Sequence, residues 1–269
     1  MTAGSVLEAF ARVKSGGGGF LTNFYATPDI VDRWATRGSL RLLELEGAVL
    51  LLRRDQDFDH LSYAATDLPR LTEALRAPAL AGDTLTADLI GRESDLGRVV
   101  GAFETAEFHR HTSLVRLTRM ADPAFPDDYS DSQVVSGRRE DGPAVQAFLA
   151  RLLDRFAEQL PEVDEIEAAA ERGNLLLERR GADLGGVLLF EATGQTAVLR
   201  YWFVNDRFRD QGIGARLIKT FFRTCRSSRR IVLWVIADNH DSIAKYGHYR
   251  FRPEGLVDHV MIRKGERLA

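Results

Sequence analysis

The chain has 269 residues, of which 45% are hydrophobic and 28% charged, and its formal net charge is −3. This composition can build the core of one large domain or two small ones, and the negative charge argues against a general nucleic-acid-binding protein. The single cysteine, Cys225, excludes an internal disulfide, and no segment has the roughly 20 apolar residues that a membrane-spanning helix needs. We therefore expect a cytoplasmic protein without nucleic-acid or membrane partners.

The first half of the chain alternates between helix and strand patterns. The segment PDIVDRWATR, from Pro28, has a helical pattern opened by a proline and ends near Gly38, and the apolar strand AVLLLRR follows. The strand pattern HLSYAATD then leads into the helix pattern LPRLTEALRA with no glycine pair between them. LTADLIGRESDLGRVVGAFETAEF and SLVRLTRM complete this half as strand, helix and strand.

The second half repeats the first. ATRGSLRLLELEGA, from Ala35, and AERGNLLLERRGAD, from Ala170, share the pattern A-x-R-G-x-L-x-L, and each follows a helix pattern opened by a proline. The order of the later elements also matches, and ADPAFPDDYSDS, rich in Pro, Asp and Ser, has the composition of a linker. We therefore predict an α/β fold with a mixed sheet. The chain would hold two copies of one unit, which span residues 1–128 and 129–269.

The two halves differ after the strand TAVLRYWFV of the second half. Here RFRDQGIGARLIKTFF places Gly212 and Gly214 between a strand and a helix, where exposed backbone N–H groups bind anions. A dinucleotide-binding fingerprint would need a small residue in place of Leu217, and a P-loop would need a glycine directly before Lys219. Neither motif is present, and we expect the chemistry in the second half, with the first half supporting it structurally or at the acceptor site.

The pattern that remains, R-x-x-G-x-G at residues 209–214, resembles the pyrophosphate turn of the GNAT acyltransferase superfamily. The later segment WVIADNHDSIAKYGHYRFR resembles the second motif of that family, with Asn239 at the end of a strand and Tyr246 on the following helix. The resemblance covers residues 130–269, while the first half is similar to a degenerate copy. It implies a tandem arrangement of two GNAT-like units, of which the second is intact.

The resemblance implies acetyl-CoA or another acyl-CoA as co-substrate. Scattered histidines and the lack of a cysteine cluster predict no metal site. The residues that would bind this donor by resemblance are Phe203, Val204, Arg209, Gln211, Gly212, Ile213, Gly214, Ala215 and Asn239. The backbone N–H groups of residues 211–215 would hold the pyrophosphate at the positive end of a helix, where glycine permits close approach. An acyl-carrier protein presents the same phosphopantetheine arm and stays an alternative donor.

The resemblance also assigns catalytic roles. Tyr246 occupies the position of the general acid, and its phenol, with an ordinary pKa of about 10, is protonated at neutral pH. The N–H group of Val204 would polarise the carbonyl group of the thioester. The general base stays open, because many relatives carry Glu where this chain has Val198. Glu191, Asp206 and a water relay are the alternatives.

Arg200 lies in the middle of a strand, where alternation places it on one face with Trp202 and Val204. A charge there needs a partner, which is either a structural ion pair or the carboxylate of an acceptor. Tyr201 and Trp234 would line the same cleft. We therefore expect a small-molecule amine acceptor, bearing a carboxylate if Arg200 binds it, and a monomer or weak dimer.

Other classes of function are disfavoured by missing motifs. Only His109 and His111 are close in sequence, and there is no H-E-x-x-H motif, cysteine cluster or G-x-S-x-G motif. The sequence thus favours an acyl-CoA-dependent N-acyltransferase, most simply an acetyltransferase. The alternatives are a non-catalytic CoA-binding or regulatory module and a paired-domain interaction protein with no affinity for CoA.

Overall fold

A computed structural model describes residues 2–17, 19–121 and 133–265, so that the predicted linker, apart from Ala121, lies outside the described residues. The chain forms two compact units: the first comprises Met1–Leu114 and Gly255–Ala269, and the second comprises Val115–Glu254. This division differs from the predicted boundary between residues 128 and 129, because the last strand of the chain pairs with a strand of the first unit. Among the described residues, no helix is long and apolar enough to cross a membrane.

The first unit is a mixed sheet with helices on both faces. Its elements are α1 (Ala3–Ser15), β1 (Leu21–Thr22), α2 (Pro28–Thr36), β2 (Leu40–Leu45), β3 (Ala48–Asp55), β4 (Phe58–Ala65), α3 (Leu68–Leu75), β5 (Leu85–Gly91) and α4 (Glu93–Thr105). The strand β6 (His109–Met120) begins in this unit. The order is β2-β3-β4-β5, with β4 and β5 parallel, and β12 (Arg252–Arg263) runs antiparallel beside β5.

The core of the first unit lies on both faces of this sheet. α1 and α2 pack on Val49 and Leu51 of β3, and α3 and α4 pack on Leu50 and Leu52 of the same strand. β3 is therefore apolar at consecutive positions, as a strand covered on both faces must be. The mixed α/β fold that the sequence predicts is confirmed.

Two carboxylates share one face of the first unit's sheet. Asp88 of β5 pairs with Val260 of β12, and Asp258 pairs with Ile90, so that the two acids are diagonal neighbours. Burial, together with the charge of Asp88, raises the pKa of Asp258 to about 8. Asp258 is therefore largely protonated in the folded protein at neutral pH.

The second unit repeats this layered arrangement. Its elements are β7 (Val134–Ser136), α5 (Gly142–Leu149), α6 (Val163–Glu171), β8 (Leu175–Arg180), β9 (Asp183–Thr193), β10 (Thr196–Val204), α7 (Ile213–Thr224), β11 (Arg230–Ile236) and α8 (His240–His248). The strand order is β7-β8-β9-β10-β11, in which only β10 and β11 are parallel neighbours. α5 and α6 cover one face, and α7 and α8 cover the other.

Two glycines in β9 determine how closely α7 approaches the sheet. A Cβ atom at Gly186 would lie 2.7 Å from Cγ2 of Ile213 and 2.8 Å from Cδ1 of Leu217, and one at Gly185 would lie 3.2 Å from Cδ1 of Ile213. The first turn of α7 can therefore rest directly on the strand backbone. This close contact positions the start of α7 next to the end of β10.

Candidate active site

The strands β10 and β11 separate and leave a gap in the sheet. Their pairing covers only residues 196–198 of β10, whereas the pairing of β10 with β9 continues to Val204. The N–H group of Asn205 donates to the carbonyl of Gly185, so alternation in the antiparallel ladder directs the N–H group of Val204 away from β9. The last residues of β10 thus present backbone donors to the gap.

A β-bulge at Arg200 changes which side chains face the gap. Leu199 pairs with Phe190 and Tyr201 with Leu189, so the register shifts by one residue between them. As a result, Leu199 and Trp202 both contact the core below α7, while Tyr201 packs against α5 and α6. The predicted common face of Arg200 and Trp202 is therefore wrong, because it assumed uninterrupted alternation.

The glycine turn forms the uncapped N-terminus of α7. Gly212 adopts a left-handed conformation with φ 74°, and no side chain caps the helix. The first intrahelical donor is the N–H group of Arg216, which donates to the carbonyl of Gly212, so the N–H groups of residues 213–215 precede the helical ladder. Arg209 braces the turn through Asp206, with Nη2 2.7 Å from Oδ1. These features suit an anion-binding turn.

The turn, the gap and α8 line one cavity of about 790 Å³ in the second unit. The predicted site residues that line it are Phe203, Val204, Asp206, Arg209, Gly212, Ile213, Gly214, Ala215, Asn239 and Tyr246. Gln211 is exposed beside the turn and does not line the cavity. The remaining lining includes Leu152, Phe208 and Lys245, for which the sequence carried no recognisable signal.

Tyr246 is held between aromatic side chains at the wall of this cavity. Its ring centroid lies 5.5 Å from that of Trp202 and 5.7 Å from that of Phe251. Burial, and secondarily the charge of Glu158, raise the pKa of the phenol, which is therefore protonated at neutral pH. In the part of the chain that the structure describes, Nε1 of Trp202 is buried and has no hydrogen-bond partner.

Asn239 serves as the N-cap of α8. Its side-chain oxygen accepts a hydrogen bond from the N–H group of Ser242 at 3.1 Å. This bond fixes the start of α8, and with it the position of Tyr246 two turns later. Asn239 also lines the cavity.

Of the predicted base and acceptor residues, Asp206 lines the cavity, where it is paired with Arg209, whereas Glu191, Arg200, Tyr201 and Trp234 do not line it. Arg200 forms an ion pair with Glu191, in which Nη1 of Arg200 lies 2.6 Å from Oε1 of Glu191. Each charged side chain therefore has the other as its partner. The phenol of Tyr201 donates to the carbonyl of Gln159. Trp234 lies below the guanidinium of Arg116, 5.6 Å from its Cζ atom. The structural ion pair, one of the two alternatives for Arg200, is the one observed.

A buried ion pair below the glycine turn escaped the sequence analysis. Arg216 donates to both carboxylate oxygens of Glu178, at 2.8 and 2.6 Å, and Arg180 approaches the same carboxylate at 2.7 Å. The side chain of Glu178 is fully buried, so this carboxylate depends on its two partners. The pair ties the first turn of α7 to β8, and no local pattern could have indicated it because the partners are 38 residues apart.

The corresponding cleft of the first unit is filled by its own chain. β4 and β5 pair only at residues 59–60, and the side chain of Asn23 enters the gap beyond. Its NH₂ group donates to the carbonyls of Leu61 and Asp88, both at 3.1 Å, and its oxygen accepts from the N–H group of Tyr63 at 2.7 Å. A polar side chain of the protein thus satisfies the backbone groups that stay open in the second unit.

The start of α3 in the first unit also differs from the glycine turn. The side chain of Asp67 caps the helix by accepting from the N–H group of Arg70 at 2.8 Å, and Pro69 in the first turn has no N–H group. A carboxylate thus occupies the place at which an anion would bind. This arrangement supports the expectation that donor binding is confined to the second half.

No group of three or more His, Cys, Asp or Glu side chains suited to a metal ion occurs in residues 2–17, 19–121 and 133–265.

Comparison with known proteins identifies the class to which this site belongs. Residues 144–249 match the family model described as the acetyltransferase (GNAT) family. This segment runs from within α5 to the end of α8 and contains the glycine turn, Tyr246 and both strands of the gap. It is a domain of the GNAT family, as the sequence motifs predicted. The search of curated proteins found no match.

Solved structures extend the similarity of fold to nearly the whole chain. A GCN5-related N-acetyltransferase from Sphaerobacter thermophilus has a TM-score of 0.58 and 14% identity, covering 97% of this chain and 91% of that one. A tandem GNAT protein from the clavulanic acid biosynthesis pathway has a TM-score of 0.57 and 15% identity, covering 97% and 94%. A GCN5-related N-acetyltransferase from Kribbella flavida has a TM-score of 0.57 and 17% identity, covering 87% and 93%. The chain therefore has the tandem GNAT fold, with a GNAT-like first half.

Proposed function

We propose that the second unit is an acyl-CoA-dependent N-acyltransferase, most simply an acetyltransferase, which acylates the amine of a small molecule. The observation that carries this proposal is the cavity shared by the glycine turn, the open end of β10 and Tyr246. GNAT membership of residues 144–249 supports acyl transfer in general. An acyl-carrier protein is a second source of the same donor arm.

The residues of the cavity fit the two ends of an acyl-CoA. The N–H groups of residues 213–215, at a helix N-terminus without a capping side chain, are suited to a pyrophosphate. A Cβ atom at Gly214 would lie 3.3 Å from Cγ2 of Val204, so the turn and the end of β10 are close enough to hold a single extended arm. The amides of the arm would pair with the free edge of β10, as an added strand does.

Two groups of the protein act on the reacting thioester, which supplies an activated acyl group. The N–H group of Val204 would donate to the carbonyl oxygen, where negative charge develops during attack by the amine. Tyr246, protonated because of its burial, would give its proton to the departing thiolate sulfur. The aromatic contacts with Trp202 and Phe251 orient the phenol for this transfer.

Two variants test this function. Calorimetric titration with acetyl-CoA should give one site with a micromolar Kd, and Gly212→Glu should abolish binding, because it places a carboxylate in the turn. Tyr246→Phe should keep the affinity for acetyl-CoA and lose about a hundredfold or more in transfer to amines. Absence of acetyl-CoA binding by the wild type would refute the CoA-dependent function and leave a carrier-protein donor or an interaction role. Full activity of Tyr246→Phe would remove this residue from the mechanism.

A further inference from the structure

The indole group of Trp202 brings a polar atom to the apolar part of the cavity wall. Trp202 lines the cavity and packs against the hydrophobic core below α7. Its Nε1 atom is buried, and no group within residues 2–17, 19–121 and 133–265 accepts a hydrogen bond from it. An indole N–H group can only donate, and an unpaired buried donor costs about 1–3 kcal/mol. A partner that binds in the cavity would offset this cost.

The N–H group lies where the start of α7 meets the end of β10. A Cβ atom at Gly214 would lie 3.6 Å from Nε1 and 3.5 Å from Cζ2 of Trp202, so this edge of the indole faces the first turn of α7. The same Cβ atom would lie 3.3 Å from Cγ2 of Val204. Because Gly214 and Val204 both line the cavity, the indole donor stands beside the passage between them.

Two tyrosines hold the indole in this orientation. The ring centroid of Trp202 lies 5.5 Å from that of Tyr246 and 5.8 Å from that of Tyr249, at interplanar angles of 58° and 74°. Both tyrosines also line the cavity, at the end of α8 and directly after it. Such tilted and edge-to-face contacts restrict the ring, so its N–H group is preorganised for a ligand.

The charged groups of the cavity do not satisfy this donor. The carboxylates of Asp206, Asp210 and Asp241 line the cavity and could each accept a hydrogen bond. In the described part of the second unit, however, none of them is bonded to Nε1 of Trp202, and Asp206 is paired with Arg209. A neutral donor in an apolar wall suits a neutral acceptor, because a charged one would lose more of its hydration there.

We propose that Nε1 of Trp202 donates a hydrogen bond to an amide carbonyl of the phosphopantetheine arm, and this role rests on the proposed acyl transfer. The arm would pass between Gly214 and Val204, from the pyrophosphate at residues 213–215 to the phenol of Tyr246. Trp202 is thus a positioning residue, which sets how far the thioester reaches toward Tyr246. The donor class that follows is a thioester on a phosphopantetheine arm, whereas simple alkyl thioesters lack the amide that the indole binds.

The indole N–H signal in a ¹H–¹⁵N NMR spectrum tests this bond directly. The chain has three tryptophans, and Trp202→Phe identifies the signal of Trp202 by its loss. Titration of the wild type with CoA, or with pantetheine at higher concentration, should move this signal downfield. The compound 3′,5′-adenosine diphosphate, which has the nucleotide but no arm, should leave it in place. A signal that stays at its free position when CoA saturates the site, or that moves equally with the nucleotide alone, refutes the proposal.

Trp234→Phe is the matched control for the substitution. Trp234 is half-buried like Trp202, but it lies below Arg116 and outside the lining of the cavity. Trp202→Phe should weaken acetyl-CoA binding about three- to tenfold in calorimetry, the equivalent of one hydrogen bond, and Trp234→Phe should change it less than about twofold. Equal weakening by both variants would show a general effect of removing an indole and would refute the role of Trp202.

The failures of the two proposals are distinguishable. If the wild type binds acetyl-CoA but Trp202→Phe binds it equally tightly, only the role of Trp202 is refuted. If the wild type binds neither acetyl-CoA nor pantetheine, the proposed function fails, and the role of Trp202 fails with it. Thermal unfolding shows whether each variant is folded. Should Trp202→Phe not fold, Trp34→Phe and Trp234→Phe assign the signal of Trp202 by elimination, and the wild-type titration still decides.

Discussion

The two glycines of the turn should respond very differently to the same small substitution. Gly212→Ala places a side chain on a residue with φ 74°, which costs about 1–2 kcal/mol for a left-handed alanine. Its Cβ atom would also lie 2.9 Å from Nη1 of Arg216. That guanidinium must then shift while it holds Glu178, whose side chain is fully buried. A partial loss of this pair adds about 1 kcal/mol, well below the cost of removing it.

Gly214→Ala is the matched control. Gly214 has no left-handed backbone, and its Cβ atom would lie 3.3 Å from Cγ2 of Val204, a contact that a small movement relieves. Alanine also favours the helix over glycine by up to about 1 kcal/mol, which offsets the contact. We therefore expect a loss of about 2–3 kcal/mol in the free energy of unfolding for Gly212→Ala and a change near zero for Gly214→Ala.

Urea unfolding followed by circular dichroism measures these changes, and calorimetry with acetyl-CoA measures their effect on the turn. Gly212→Ala should weaken binding about tenfold, because the amides of residues 213–215 would no longer converge. Equal destabilisation by the two variants would contradict the role assigned to the left-handed Gly212. A Gly212→Ala variant as stable as the wild type would contradict the coupling to Arg216 as well.

Three further variants probe the turn and the first unit. Asp210 has a left-handed backbone with φ 62°, so Asp210→Gly should raise the free energy of unfolding by about 0.5–1 kcal/mol. Because Asp210 lines the cavity, the same change removes a negative charge there, and acetyl-CoA should bind about fivefold more tightly in calorimetry. Asn23→Ala leaves the N–H group of Tyr63 and two carbonyls unpaired and should cost about 2–3 kcal/mol in urea unfolding, while acetyl-CoA still binds at one site per chain. Because the pKa of Asp258 rises to about 8 on folding, the protonated form favours the native state, and stability should fall as pH increases from about 4 to 8. Asp258→Asn should flatten that fall, and an unchanged pH profile would contradict it.

The local pattern of the second half predicted much of the candidate site. The R-x-x-G-x-G turn needs a left-handed residue at Gly212 and little bulk at Gly214, and both requirements can be read from residue types. Asn239 and Tyr246 were predicted from the resemblance to the second GNAT motif, and the structure places them at the N-cap of α8 and two turns later on the same helix. The absence of a second donor turn was likewise visible in the first half, where the strand leads to a helix that contains Pro69.

Other parts of the site depend on contacts that sequence spacing cannot show. The bulge at Arg200 is defined by the register with β9, and it reverses the faces on which Tyr201 and Trp202 lie. The loop between α5 and α6 carries no motif, and a bond from Tyr201 to the carbonyl of Gln159 joins it to β10. The sequence also offered Glu191 as a base, and only the structure shows that it is paired with Arg200.

By itself, the sequence determined the repeated order of elements, the glycine turn and the helix that carries Tyr246, because these depend on short-range periodicity and backbone preference. Only the tertiary structure decided that the last strand pairs with β5, that Asn23 fills one cleft, and that β10 and β11 leave the other open. The physical reason is that strand pairing and buried polar contacts join residues far apart in the chain, and many registers satisfy the same hydrophobic pattern.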